Sequence, residues 1–486
     1  MKILKNLKIF FCIILCFLLT AGSRIPSSIQ SVSDNIEAGT GQHQSVSGID
    51  GSSQSTAVSS PETETQSETD ADSAVPDSPS SSGSAQSGSS QNGQSASSSV
   101  LSGSRPQSSS GSSSQSKPQS AAEKPSSSTP SSPQQTPPQS KTEMRAVWIS
   151  FLEYQSILRG KSESSFKKAI ASYFDKCVSY GLNTVIVHAR SHSDAFYKSR
   201  YYPASVHFTG KRQNSFPFDP LKIMVAEAHK RGLKIEAWVN PYRGSHISET
   251  LAADDPVKKW LGTEKVFAFG EYYYLNPGEP EVRQLILNGI IELVENYDID
   301  GIHFDDYFYP TADSSIDKST YNKYGGGKTL KVFRTDCVNK LVSSVYREIK
   351  NRKNITFGIS PEGNIDNCLN KSFADVKLWG STPGYVDYLA PQIYWDYDQK
   401  PLPYQKALSD WKKTVTSPKV RLITGHAAYR VVEIGTGGWA TGDILKRQVL
   451  DARSASNYGG FIMFRYDFFF SGALAAEREN LKGILN

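Results

Sequence analysis

Residues 298–310 read Asp-Ile-Asp-Gly-Ile-His-Phe-Asp-Asp-Tyr-Phe-Tyr-Pro. Gly301–Tyr307 is a short, apolar-rich run of strand type, and period-2 alternation puts His303 and Asp305 on one face of it. The segments around it, Pro280–Tyr297 and Thr329–Lys350, read as amphipathic helices. A strand between two helices that ends in adjacent carboxylates is one unit of an alternating α/β fold.

The same unit recurs along the chain. Strands are predicted at Arg145–Ser150, Thr184–Arg190, Lys234–Asn240, Gly301–Tyr307, Thr356–Ser360, Tyr388–Trp395, Val420–Ala428 and Gly460–Tyr466. Helices are predicted at Ser164–Tyr180, Pro220–Arg231, Pro280–Tyr297, Thr329–Lys350, near Phe373–Trp379, and at Tyr404–Val415, Asp443–Ser454 and Gly472–Leu485. Eight consecutive strand–helix units with apolar-rich strands predict a (β/α)₈ TIM barrel with enlarged βα loops. A doubly wound open sheet is the structural rival, but its Gly-rich first turn is absent.

The chain before the barrel has a different composition. Met1–Lys8 is basic, Ile9–Leu19 is an unbroken apolar run, and residues 20–23 are small. That is the pattern of a secretory signal, expected over residues 1–23. No Cys follows the small residues, which argues against a lipid anchor. Residues 24–141 are mostly Ser, Gly, Gln, Pro and Thr, too poor in apolar side chains to offset the entropy of ordering. A disordered tether is expected there, with the barrel over residues 142–486 and the protein secreted or associated with a cell wall.

Charge follows the same division. Residues 27–140 hold three basic and ten acidic side chains, whereas the aromatic-rich remainder, residues 141–486, holds 46 basic against 38 acidic, a net of +8. A modestly basic domain suits a polyanionic surface such as a wall polymer, or serves solubility alone. Cys177, Cys337 and Cys368 lack metal-ligand spacing and read as buried thiols.

Function in such a barrel collects at the C-terminal strand ends. These ends supply His188 and Arg190, then Trp238, Asn240, Tyr242 and Arg243, then His303, Asp305, Asp306 and Tyr307. Further round the barrel they supply Glu362, then Gln392, Tyr394, Trp395 and Asp396. Carboxylates among aromatic rings are what glycoside hydrolysis needs, one to protonate the leaving oxygen and one to act as nucleophile or to activate water. Asp305, Asp306 and Glu362 are the candidate catalytic groups, and the other residues named are candidate sugar contacts. Glu236 is a further interior carboxylate, read either as catalytic or as paired with Arg190. A metal site on His188, His303 and Asp305 lacks HxH or HxxxH spacing, and P-loop, dinucleotide and Gly-x-Ser-x-Gly motifs are absent. No metal, cofactor or nucleic-acid partner is therefore expected. Contact with a membrane is expected only through the signal segment.

At these strand ends the chain resembles the glycosyl hydrolase-like 10 family of bacterial secreted proteins. The resemblance rests on MRAVWIS, GLNTVIVHAR, FDPLKIMVAEAHKRGLKIEAWVNPYR, YYLNPGEPEVR, DIDGIHFDDYFYP, FGISPEGN, APQIYW and GGFIMFRYDFF, from Met144 to about Phe470. It implies a (β/α)₈ barrel and a hydrolase of peptidoglycan glycan strands. Relatives often read His-Ala-Trp where this chain has Glu236-Ala237-Trp238, and the position of Glu362 varies in the family, which moves weight to Asp305 and Asp306. Two other functions compete: a non-catalytic barrel that binds wall carbohydrate, and a metal-dependent hydrolase or deacetylase of the same polymer. Turnover separates the first from an enzyme, and chelator sensitivity separates the second.

Overall fold

The computed structural model describes residues 142–485, apart from residue 214. The expected signal segment and tether lie outside the described residues.

Eight parallel strands close into a barrel: β1 (Met144–Ile149), β2 (Thr184–Arg190), β3 (Lys234–Val239), β7 (Gly301–Phe304), β8 (Thr356–Ile359), β9 (Tyr388–Leu389), β10 (Arg421–Ala427) and β11 (Tyr458–Phe464). Each neighbours the next barrel strand in sequence, and β1 closes the ring against β11. The expected TIM barrel is thus present.

Local chemistry explains the outer helices. Pro220–His229 starts with proline in its first turn, after Asp219 whose carboxylate accepts the Lys222 N–H at 3.1 Å. Glu163–Tyr180 starts at Ser162 and stops at Gly181, whose φ of 100° favours a residue without Cβ. The apolar faces of these helices pack on the outward side chains of the strands, among them Val147, Val185, Ile235, Ile302 and Phe357.

The inward side chains form a second, smaller core that includes Trp148, Ile186, Trp238, Tyr388, Ile423 and Ile462. The barrel is therefore filled. Trp148 is 2% exposed, and truncating such a side chain to alanine costs about 3–5 kcal/mol. Large inward groups fit because glycines face them. A Cβ on Gly358 would lie 1.9 Å from the Tyr388 ring, and one on Gly301 would lie 2.8 Å from the Glu236 carboxyl carbon.

Two features depart from the sequence expectation. The loop after β3 builds an antiparallel sheet from β4 (Arg243–His246), β5 (Val266–Phe269) and β6 (Tyr272–Leu275), with β6 central. The expected strand Tyr388–Trp395 is regular for only two residues. Pro391 has no N–H to give to a ladder, and the pairing continues as single bridges from Gln392 to Glu362 and to Gly425.

Candidate active site

Asp305 immediately follows β7 and is 3% exposed at the C-terminal end of the barrel. Its Oδ2 accepts the Trp238 Nε1–H at 3.0 Å, and its Oδ1 accepts the Tyr307 backbone N–H at 3.3 Å. Burial, and then the charge of adjacent Asp306, push its carboxyl well above the usual carboxylate range. Asp306 is half-buried and also raised by burial, against the opposing effects of the Gln392 amide and Arg243. The adjacent carboxylates repel each other when both are ionised, which favours a proton on the more deeply buried Asp305.

Trp238 is fixed from its other side. The His188 ring stacks on it, with centroids 3.4 Å apart and planes at 19°. His188 Nδ1 accepts the Phe151 N–H at 3.1 Å, and burial followed by the Arg243 charge hold this imidazole neutral. Trp238 is 7% exposed, so its main contribution is a directed donor rather than a broad platform.

Arg243 brings the inserted sheet into the site. Its guanidinium lies 4.3 Å from the Tyr272 ring centre and 4.7 Å from that of Tyr307. Asn240 sets up this position, because its Oδ1 accepts the Arg243 N–H at 3.1 Å where the chain turns out of β3. On the far wall Tyr394 stacks on Phe464 at 5.7 Å, and Tyr429 meets both edge-on. Glu362 is half-buried and bonded by the Asn367 amide. Burial raises its carboxyl, and Asp306 raises it further, which places the two acids within electrostatic reach. The Gln392 amide donates to the Ser360 carbonyl at 3.1 Å and holds the rim between them.

Several expected sugar contacts sit elsewhere. Tyr242 is fully buried against Phe308 and presents no ring face to a ligand. His303 is likewise fully buried, below Asp305. Its Nε2 accepts the Trp148 indole N–H at 3.2 Å, so its own proton is on Nδ1, facing the Tyr388 hydroxyl at 2.7 Å. Burial lowers its pKa to about 3. Both ring nitrogens are thereby engaged, which leaves none for a metal shared with His188 and Asp305. Arg190 donates to the Asn240 and Pro241 carbonyls at 2.6 and 2.8 Å, pinning the turn rather than pairing with Glu236. Glu236 instead takes the Tyr388 hydroxyl and, at 2.7 Å, that of Thr356. Asp396 accepts the Asp398 N–H at 3.0 Å in a turn packed under Gly438, and Trp395 is half-buried against Gly363.

One charged residue that the sequence reading did not select also lies at this end. Glu153 is fully buried just after β1, bonded to Ser150 Oγ at 2.5 Å, to the Asp467 N–H at 3.2 Å and to the Arg465 guanidinium. The signal was present as Ser150-Phe151-Leu152-Glu153, a capping-box pattern directly after the first strand.

The glycosyl hydrolase-like 10 family model matches residues 143–436. Glycosyl hydrolase YngK of Bacillus subtilis (strain 168) is 35% identical over 338 residues, which span 64% of this chain and 66% of that protein. Glycosyl hydrolase DigH of Escherichia coli (strain K12) is 31% identical over 376 residues, 68% of this chain and 84% of that protein. Among solved structures, the PgaB (BpsB) glycoside hydrolase domain from Bordetella bronchiseptica overlays 71% of this chain and 99% of its own, with 15% identity and a TM-score of 0.49.

Proposed function

The chain belongs to the glycosyl hydrolase-like 10 family and is a glycoside hydrolase on that ground, and from this premise we propose that it is exported and cleaves a bacterial wall polysaccharide, peptidoglycan glycan strands in particular. The observation that carries the chemistry is the Asp305–Asp306 pair at the barrel mouth, with Asp305 held by Trp238.

Asp305, with its raised carboxyl, keeps a proton near neutral pH and gives it to the departing glycosidic oxygen. Asp306 is the ionised partner, acting as nucleophile or drawing a proton from the attacking water. Glu362, in electrostatic reach of Asp306, is the second candidate for that role. Arg243, clamped by two tyrosines, favours the ionised form of the neighbouring aspartates and so supports Asp306 as the carboxylate that faces the developing positive charge of the sugar ring. The half-buried rings of Tyr307 and Phe464 offer aromatic surface to a pyranose.

The choice of wall glycan rests on the family, on the basic charge of the barrel block and on the signal-like residues 1–23. The experiment is incubation of the protein with amidase-treated sacculi and mass analysis of the soluble products. Glycan fragments with a new reducing end are expected. Products that differ only by loss of acetyl groups would favour a deacetylase, and retention on the wall without products a binding module.

A further inference from the structure

We propose that a second carbohydrate site lies on the flank of the barrel, outside the catalytic mouth, and takes a pyranose of the polysaccharide being processed. The proposal rests on reading the chain as a polysaccharide hydrolase. A cavity of about 550 Å³ lies between the loop after β2, the helix Pro256–Trp260 and the helix Pro280–Asn296. That volume is within the range of small-molecule sites, about 300–1,000 Å³.

Its lining has the parts a sugar needs. Trp260 and Tyr201 are partly exposed rings, Arg200 and Lys259 are exposed donors, and Asp254 is an exposed acceptor. An aromatic face with donors and an acceptor around it matches a ring with apolar C–H faces and equatorial hydroxyls. None of these five residues takes part in the chemistry assigned to Asp305 and Asp306.

The walls are also held in place without a ligand. Glu292, whose side chain is 1% exposed, accepts Ser199 Oγ at 2.6 Å and the Arg200 backbone N–H at 2.8 Å. The Arg200 side chain is 72% exposed and its Nε also donates to Glu292 at 3.3 Å, so one edge of the guanidinium is anchored while the rest reaches solvent. Tyr202 forms the inner wall, seated on Gly289, where a Cβ would come within 2.7 Å of the ring. On the other side, Asp255 caps the Val257 N–H at 2.8 Å and meets Arg212 at 3.4 Å, which fixes the start of the helix that carries Lys259 and Trp260. The Lys265 ammonium lies 5.5 Å from the Trp260 ring centre and steadies the indole. Pre-organised walls lower the entropic cost of binding a flexible polymer.

The inner wall of the cavity also packs against a residue that shapes the mouth. Tyr202 lies 4.7 Å from the Arg190 guanidinium, which in turn holds the Asn240–Pro241 turn at the mouth. A strand gripped on the flank would raise the local concentration of glycan at the cleft.

The test uses the full chain with Trp260→Ala, and separately Lys259→Glu, whose exposed position spares the fold. Two quantities are read: retention on insoluble glycan from sacculi, and kcat/KM on a soluble tetrasaccharide. Retention is expected to fall about tenfold for Trp260→Ala and also to fall for Lys259→Glu, with tetrasaccharide turnover unchanged. Normal turnover with retention unaltered in both variants would overturn the proposal. Titration of the two variants with chitotetraose, followed by tryptophan fluorescence, separates this outcome from failure of the hydrolase reading. A chain that cleaves no glycan but still binds chitotetraose in a Trp260- and Lys259-dependent manner refutes the hydrolase and supports the flank site.

Discussion

The indole N–H of Trp238 donates to Asp305 Oδ2 at 3.0 Å, joining the ends of the neighbouring strands β3 and β7 at the barrel mouth. This bond favours the ionised carboxylate and so opposes the upward push of burial and of Asp306. Trp238→Phe keeps an aromatic ring against His188 but removes the donor. A hydrogen bond to a charged group is worth about 1.5–3 kcal/mol, and one pKa unit is about 1.4 kcal/mol. The alkaline limb of kcat/KM is therefore expected to move to higher pH by about one to two units. A limb that stays in place or moves down would remove Asp305 as the acid.

Glu236 gives a stability prediction. Burial raises its carboxyl from 4.5 to about 7, against the hydrogen bonds from Tyr388 and Thr356. Between these values the folded chain binds more protons than the unfolded chain, so stability falls as pH rises from about 4.5 through about 7. The loss is on the order of 3 kcal/mol. Glu236→Gln mimics the protonated acid and should remove this component. Melting curves for both proteins from pH 5 to pH 8 check it: the wild type should lose stability relative to the variant, and parallel profiles would contradict the buried-acid account.

Much of this geometry was legible in the sequence. The strand Thr184–Arg190 is found with its predicted bounds, and the DIDGIHFDDYFYP stretch does place Asp305 at the mouth. Hydrophobic patterning reports which face of a strand is covered, and that sufficed for the barrel. It does not report depth along the axis. His303 and Asp305 share a face, but only the packing of Trp148 and Tyr388 places His303 below the reach of a ligand. The inserted sheet was missed because its strands have four residues each, and Tyr272-Tyr273-Tyr274-Leu275 has no alternation to read. Glu236 and Arg190, read as possible partners, each found neutral partners closer by.

A chain trimmed to residues 142–486 should unfold cooperatively and keep its activity on soluble glycan, because the barrel closes β1 against β11 within the described residues. Loss of the thermal transition, or of soluble activity, would place an essential segment before residue 142.

The +8 net charge of the aromatic-rich block predicts salt-dependent wall binding. Retention on intact sacculi should weaken as ionic strength rises through about 0.15 M, where the screening length is about 8 Å. Cleavage of a short neutral oligosaccharide should not change in parallel. Retention that is indifferent to salt would reduce the charge to a solubility feature.

Whether Asp305 is the acid is decided by the initial rate of glycan cleavage by Asp305→Asn, set beside its melting curve. The substitution is nearly isosteric, and asparagine can still accept the Trp238 N–H, so the fold should survive. Removal of a general acid costs about 10²–10⁴ in rate, and a fall of that size with an unchanged melting temperature is the expected result. Near-normal turnover by a fully folded Asp305→Asn protein would contradict the account and move the chemistry to Asp306 and Glu362.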